Sequence, residues 1–175
     1  MDIYSFPSVS KFKQRKNAAA IPTTSQIKKS LQLLADKTAK DPESLKVRNI
    51  KPPLFYLLKA FNSDFSTFSY IVQADTDSKN SYGGYEGYKT QIFMIPKPGS
   101  PALLIPYNLR MFTEVDLGKV EWLIKMRNEM SDEEFVDRLA KASGGKIYPE
   151  KGGRKDTYIY DFGESPLVFW IPKRP

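Results

Sequence analysis

Three tyrosines separated by glycines are the residues of this sequence best suited to a binding function. They are Tyr82, Tyr85 and Tyr88, and Gly83, Gly84 and Gly87 lie between them. Aromatic rings on a glycine-rich segment can stack on unpaired nucleic-acid bases, and each such contact contributes about 1–3 kcal/mol. Tyrosine is also enriched at protein interfaces, and the same rings would pack locally if the segment simply begins a strand. The tyrosines therefore predict base stacking or partner binding, with local packing as the alternative.

A set of lysines and arginines could supply contacts to phosphate. Its members are Lys11, Lys13, Arg15, Lys16, Lys28, Lys29, Arg154 and Lys155. Such side chains neutralise phosphates and release condensed counterions, which gives affinity without reading the base sequence. The set lines a groove only if the glycine-rich loop at 144–156 and the N-terminal residues share a face, which the sequence leaves open. The chain contains no helix-turn-helix, zinc-finger, RNP or KH motif, so the sequence signal for nucleic-acid binding is weak and sequence preference stays open.

Positive charge is concentrated in the N-terminal third of the chain. The net charge is +7. Residues 1–60 contain 12 Lys and Arg against 4 Asp and Glu, a net of +8, whereas the other 115 residues contain 15 against 16, a net of −1. This asymmetry is typical of proteins that bind nucleic acid or an anionic membrane surface. A solubilising arm followed by solvated helix faces would give the same pattern.

Catalytic chemistry is restricted by two missing residue types. The chain contains neither cysteine nor histidine, which excludes thiolate nucleophiles, disulfides, histidine-dependent triads and histidine-ligated zinc. Asp75 and Asp77 partly resemble a calcium-binding loop, but Lys79 stands where a ligand is expected. A second group could serve a carboxylate- and metal-dependent enzyme, although ordinary strand ends look the same: Glu150, Lys155, Asp156 and Asp161. The sequence leaves an enzymatic activity uncertain and disfavours it, and it predicts neither a metal ion nor a cofactor.

Composition favours a folded, cytoplasmic protein. The 175 residues are 41% hydrophobic and 13% aromatic, which argues against wholesale disorder. No stretch approaches the roughly 20 apolar residues of a membrane span, and no apolar segment follows the basic residues near the N-terminus, as a secretory signal requires. We expect residues 1–22 to form a basic, extended and partly ordered arm, and residues 23–175 to form a single domain.

Four helices are predicted from spacing and capping residues. The first runs from Thr24 to about Lys40, after hydroxyl residues that can cap it. A shorter helix is expected from Pro53 to Phe61. The third runs from residue 113 or 114 to about 130. The fourth, at 132–142, begins after a capping box at 131–134, which marks its start clearly.

Five strands are predicted, and most are joined as hairpins: 67–74, 92–95, 102–105, 157–162 and 167–171. The proline-rich segment 96–101 cannot lie inside a helix and predicts a stiff connection between two of them. A basic loop or weakly paired hairpin is expected at 144–156. Strands do not alternate regularly with helices, so a parallel α/β fold is disfavoured. The sequence predicts an α+β fold, with a mostly antiparallel sheet of about five strands and about four helices packed on one face.

Two functions fit these residues. The first is a small, non-catalytic nucleic-acid-binding protein that prefers single strands, tracks phosphate with its basic N-terminal region and stacks bases on its tyrosines. The second is a protein-interaction module, such as an inhibitor, an adaptor or an assembly subunit, that acts through an aromatic surface. The two are separable, because phosphate contacts weaken steeply with salt whereas an apolar interface tolerates it.

Overall fold

The structure is a computed structural model that describes residues 1–60, 63–106, 108–142, 144, 147–153, 155–161 and 166–174. Contacts divide the chain into two compact units. The sheet unit comprises Phe12–Thr113, and the terminal unit comprises Met1–Lys11 together with Glu114–Pro175. The expectation of an arm followed by one domain from residue 23 stays a prediction.

Helices and strands of the described residues confirm the predicted α+β class. The helices are α1 (Val9–Ala18), α2 (Thr24–Thr38), α3 (Glu114–Glu129) and α4 (Asp132–Ala142), with 3-10 turns at Ile3–Ser5 and Pro42–Ser44. The strands are β1 (Lys46–Arg48), β2 (Leu54–Ala60), β3 (Ser66–Asp77), β4 (Lys89–Ile95), β5 (Leu103–Leu104), β6 (Leu109–Phe112), β7 (Ile147–Pro149), β8 (Thr157–Asp161) and β9 (Pro166–Trp170).

Three of the predicted helices are confirmed to within two residues at each end. At the start of α2, Thr23 Oγ1 accepts from the Gln26 amide, and the Gln26 side chain accepts from the Thr23 amide. At the start of α4, Ser131 and Glu134 make the same reciprocal bonds. These bonds satisfy amides that a helix leaves free at its first turn. Within the described part of the chain, no helix has both the length and the apolar character needed to cross a membrane.

The N-terminal residues differ from the predicted extended conformation, because Val9–Ala18 forms helix α1. Phe12 is buried and packs against Phe55 and Phe68, with ring centroids 5.3 and 5.9 Å away. The Ser8 hydroxyl accepts from an amide in the first turn. A single aromatic anchor leaves no apolar periodicity in the sequence, which explains why the pattern does not predict this helix.

The sheet unit is built on an antiparallel sheet, which confirms the predicted antiparallel pairing of the strands. Its described strands lie in the order β5-β4-β3-β2-β6, and β1 pairs with the C-terminal part of β3. The hairpin predicted around the prolines is also confirmed, because β4 pairs with β5 through Phe93 opposite Leu104. The predicted strand at 67–74 corresponds to the longer β3.

The predicted helix from Pro53 to Phe61 is wrong. Leu54–Ala60 forms β2, which lies between β3 and β6, and Phe61 is outside the described residues. The last four residues of β2 are all buried, so this part of the strand is covered on both faces. The sequence of a strand covered on both faces is a continuous apolar run. Hydrophobic periodicity cannot distinguish such a run from a buried helical segment.

The two faces of this sheet carry different side chains. Residues opposite each other on neighbouring strands share a face, so Val72, Ala74 and Phe93 project to the same side. Ile27 and Leu31 of α2 pack against them. We call this side the helix-covered face, and α1 packs on it as well. The alternate residues of the same strands form the opposite face.

The terminal unit contains an antiparallel sheet of strand order β7-β8-β9. Strands β8 and β9 confirm the hairpin predicted near the C-terminus, and β7 agrees with the hairpin alternative for 144–156. Arg127 of α3 is the central polar group of this unit, with only 2% of its surface exposed. Its guanidinium donates to Asp132, to Asp156 and to the Ile171 carbonyl oxygen.

Candidate nucleic-acid interface

The segment between β3 and β4 holds the three predicted tyrosines in a hydrogen-bonded loop. We call residues 80–88 the tyrosine loop. The Asn80 side-chain oxygen accepts from the amides of Tyr82 and Gly84 at 2.9 and 3.2 Å. The backbone amide of Asn80 in turn donates to the Gly84 carbonyl oxygen at 2.9 Å. Lys79 pairs with Tyr85 in an antiparallel bridge that closes the loop. These bonds give the tyrosines a defined position.

Two glycines allow the tyrosine loop to turn sharply and display its rings. Gly83 and Gly87 have φ angles of 78° and 98°, a backbone region that residues with a side chain seldom occupy. Tyr82, which precedes the first of these turns, is 95% exposed. Tyr85 and Tyr88 are about two-fifths exposed. All three rings therefore present surface to solvent, which argues against local packing as a full account of Tyr82.

Cations lie directly over two of the tyrosine rings. The Lys46 Nζ is 3.8 Å from the centroid of Tyr85, and the Lys79 Nζ is 5.9 Å from the same centroid. The Arg48 Cζ is 3.7 Å from the centroid of Tyr88. These distances fall within the roughly 6 Å range of cation–π attraction. We call these five residues, together with Tyr82, the basic–tyrosine cluster.

Strand β1 brings the cations to the tyrosine loop. Its pairing sets Lys46 opposite Asp77 and Arg48 opposite Asp75, so both cations project from the opposite face of the sheet. The segment before β1 also holds the loop, because the Tyr85 hydroxyl donates to the Ser44 carbonyl oxygen at 3.1 Å. The cluster thus assembles from two segments about 40 residues apart in the chain, joined by sheet pairing.

Asp75 supports the cluster from within the sheet. Its carboxylate accepts from the Asn49 amide and the Thr90 hydroxyl, each at 2.7 Å, and lies 3.6 Å from the Arg48 Nε. The Thr90 hydrogen bond, followed by the Asn49 hydrogen bond and the nearby Arg48 charge, lowers the pKa of Asp75 below its usual value. Asp75 is therefore ionised at neutral pH and helps to hold the Arg48 guanidinium beside Tyr88.

The predicted basic residues that the structure describes are exposed, and those on α2 belong to the other side of the sheet from Lys46 and Arg48. Lys11, Lys13, Arg15 and Lys16 are exposed on α1, Lys28 and Lys29 on α2, and Lys155 in the terminal unit, while Arg154 is outside the described residues. Helix α2 packs on the helix-covered face, whereas Lys46 and Arg48 project from the opposite face. The cations that lie over the predicted tyrosines are Lys46, Arg48 and Lys79, and none of them belongs to the basic set predicted from the sequence.

A sequence signal for the missed cations does exist. Lys46, Val47 and Arg48 alternate between charged and apolar side chains, which is typical of a half-buried strand. Val47 is half-buried, and the two cations beside it are exposed. A run of three residues is too short to identify a strand with confidence from periodicity, and its partner strand lies far along the chain.

Two of the carboxylates considered for metal binding accept hydrogen bonds from protein groups. Asp75 accepts from Asn49 and Thr90, as described above, and Asp156 accepts from Arg127 at 3.3 Å. Across the described ranges, no three acidic residues come close enough to hold a metal ion. The tyrosine loop and its cations are thus the arrangement with the clearest binding chemistry.

Comparison of the chain with protein-family models, with curated proteins and with solved structures finds no match. Its function is therefore inferred from its residues and their contacts.

Proposed function

We propose that this protein binds single-stranded nucleic acid through the basic–tyrosine cluster. The proposal rests chiefly on Lys46 and Arg48, whose cationic groups lie over tyrosine rings, and on the exposed Tyr82 of the same tyrosine loop. A nucleotide offers a phosphate and a base, and the cluster offers a partner for each. Cations pair with phosphate, and tyrosine rings stack on bases.

Single strands suit this cluster better than a duplex. Stacking needs the flat face of a base, and in a duplex these faces are already stacked on neighbouring base pairs. A loop that displays rings one after another matches unpaired bases along a strand. The cluster contains no arrangement typical of groove readout, so we expect weak dependence on base sequence.

The charge of the sheet unit supports the same function. Residues 12–113 contain 15 Lys and Arg against 7 Asp and Glu, a net of +8, whereas the rest of the chain contains 12 against 13, a net of −1. The unit that carries the basic–tyrosine cluster therefore holds the chain's entire positive excess. Such a unit attracts a polyanion from a distance.

The proposal is tested by titrating a fluorescent single-stranded oligonucleotide at several salt concentrations, beside a duplex of equal length. We expect the double substitution Lys46→Ala and Arg48→Ala to weaken binding at low salt. The slope of log affinity against log salt should also become shallower, by about 0.7 for each lost phosphate contact. The single strand should bind more tightly than the duplex throughout.

A matched control removes the same charge elsewhere. Lys37 and Lys97 are exposed lysines of the sheet unit outside the cluster, so their joint replacement by alanine should change the slope much less. A third variant replaces Lys11, Lys13, Arg15 and Lys16 by alanine. Loss of binding in that variant alone would move the site to α1, and no oligonucleotide binding even at low salt would refute the proposal.

A protein partner is the second candidate, favoured by the almost complete exposure of Tyr82. Tyrosine contributes rigid, amphipathic contact area at interfaces. In this case the partner would bind through the aromatic surface, and its affinity would persist at high salt while falling on replacement of Tyr82 by alanine. The same salt series therefore distinguishes the two functions.

A further inference from the structure

The opposite face of the large sheet carries an exposed apolar surface. One row of direct cross-strand neighbours runs through Leu103, Met94, Ile71 and Leu54, on β5, β4, β3 and β2. Met94 is half-buried and Ile71 is buried, with 5% of its surface exposed, so the exposed apolar area of the row lies at its two ends. Leu103 is 45% exposed and Leu54 is 57% exposed. Ile92 of β4, in the adjoining row, is 41% exposed. Large apolar side chains exposed together on one sheet face are typical of an interaction surface rather than of scattered surface residues.

A groove follows this surface. It has a volume of about 450 Å³, and its lining includes Lys51, Leu54, Tyr56, Ile71, Ile92 and Met111. Most of these side chains are aliphatic, so the groove offers few flat rings for base stacking. It therefore differs chemically from the basic–tyrosine cluster, although both lie on the opposite face of the sheet.

The dimensions of the row fit an α-helix. Four neighbouring strands, each about 4.8 Å from the next, span about 14 Å. Three helical turns cover about 16 Å. The helix-covered face shows how this sheet accepts a helix, because Ile27, Leu31 and Ala35 of α2 form a buried stripe on it. That stripe extends about 12 Å along its helix.

The positive charge near the groove indicates which side chains should lie beside the apolar stripe of a docked segment. Lys51 is exposed and lines the groove itself. The sheet unit as a whole has a net charge of +8. A segment with acidic side chains beside its apolar stripe would be attracted to this surface, whereas a basic segment would be repelled.

We propose that the groove docks an amphipathic, acidic α-helix of a protein partner. The apolar stripe of that helix lies across Leu54 and Ile92, and its carboxylates face Lys51. This docking mode resembles the general helix-in-groove recognition of peptides. It uses side chains outside the basic–tyrosine cluster, and so it stands whether or not the protein binds nucleic acid.

The test is selection of peptides from a displayed random library against the full chain. The peptides have about 14 residues, enough for nearly four helical turns. We expect the enriched sequences to repeat apolar residues every three or four positions, to carry Asp and Glu beside them, and to become helical on binding. Affinity is then measured by fluorescence anisotropy for the best peptide and for a scrambled version without the stripe.

Substitutions locate the bound peptide. Leu54→Asp and Ile92→Asp should each lower the affinity for the peptide by at least about tenfold, as expected for central contacts. Ile21→Asp is the matched control, since Ile21 is 67% exposed and does not line the groove. If the aspartate substitutions unfold the sheet, Leu54→Thr and Ile92→Thr take their place, because threonine retains a high strand propensity. Lys51 lies outside the strands, so Lys51→Glu should lower the affinity for acidic peptides while leaving the circular dichroism spectrum unchanged.

Several results would overturn this inference. One is the enrichment of basic peptides, or of peptides that bind the groove variants as well as the original chain. Loss of oligonucleotide binding in the groove variants would instead make the groove part of a nucleic-acid site. A dimer in sedimentation that Leu54→Asp dissociates would show that a second copy of this chain occupies the face.

Discussion

Tyr82 is the residue on which the proposed stacking function depends most directly. It is 95% exposed, and its backbone is held by Asn80. Replacing it by alanine should reduce the binding free energy for a single-stranded oligonucleotide by about 1–3 kcal/mol. Tyr82→Phe should bind nearly as well, because stacking uses the ring face rather than the hydroxyl. Fluorescence titration at fixed salt measures both effects.

The melting temperature of each Tyr82 variant provides the control. Because so little of the side chain is buried, neither substitution should alter the melting temperature by more than a surface change normally does. Equal loss of affinity in the phenylalanine and alanine variants would show that the hydroxyl matters instead of the ring.

Asp75 gives a prediction about pH. Hydrogen bonds from Thr90 and Asn49, with the Arg48 charge, lower the pKa of Asp75, so the folded carboxyl should titrate below the usual value of about 3.9. Because the folded pKa is the lower one, Asp75 stabilises the fold above the unfolded pKa. That stability is lost as pH falls through the folded pKa. Carboxyl NMR titration measures the value directly.

Thr90→Val removes the largest contribution to this shift and should move the Asp75 pKa upward. Thr38→Val is a suitable control, because the Thr38 hydroxyl donates only to a carbonyl oxygen within α2. An Asp75 pKa at or above the usual value in the original chain would contradict the hydrogen bonding described here.

The tyrosines of the candidate site could be predicted from the sequence, but their cations could not. Tyr82, Tyr85 and Tyr88 stand out because aromatic residues alternate with glycines. Lys46 and Arg48 reach them only through the pairing of β1 with β3. Such pairing joins distant segments, so it leaves no local spacing in the sequence. The basic residues that the sequence does emphasise lie close to one another along the chain, where clustering is easy to see.

Local capping residues made helices α2 and α4 predictable from the sequence, whereas burial on both faces hid strand β2. Helices α2 and α4 carry reciprocal caps that the sequence displays as hydroxyl residues followed by Gln or Glu. Strand β2 ends in four consecutive buried residues, and helix α1 depends on one anchor, Phe12. Neither has the regular alternation or stripe from which an element is recognised, because tertiary contacts determine both.

Arg127 joins several elements of the terminal unit, and its removal should destabilise that unit. The guanidinium bonds Asp132 at the start of α4, Asp156 before β8 and the Ile171 carbonyl oxygen after β9. Arg127→Ala leaves these acceptors without their donor, at a cost of about 3 kcal/mol, near the lower end for a broken buried pair because its partners are partly exposed. Urea unfolding followed by tryptophan fluorescence measures this cost.

Both tryptophans of the chain, Trp122 and Trp170, belong to the terminal unit, so the fluorescence change reports on it. Arg138→Ala is the matched control, since Arg138 is exposed on α4, and it should change the unfolding free energy by less than about 0.5 kcal/mol. Equal destabilisation by the two variants would mean that the Arg127 network contributes little.

Charge is divided unequally between the two units of the chain. The sheet unit has a net charge of +8, and the remainder of the chain has a net charge of −1. A field of one sign accelerates the approach of a polyanion, whereas direct contacts set how long the complex lasts. Lysines remote from the site therefore affect association, and lysines in the site affect dissociation as well.

Lys28 and Lys29 allow this distinction to be tested, because they are exposed on α2, which packs on the helix-covered face. Replacing both by alanine should lower the association rate constant for a single-stranded oligonucleotide at low salt and leave the dissociation rate constant unchanged. The effect should fade as salt shortens the Debye length from about 10 Å at 0.1 M. Lys46→Ala with Arg48→Ala removes the same charge and should also accelerate dissociation, which stopped-flow fluorescence resolves. Faster dissociation in the α2 variant would place the contact on that helix, as the basic pattern of the sequence predicts.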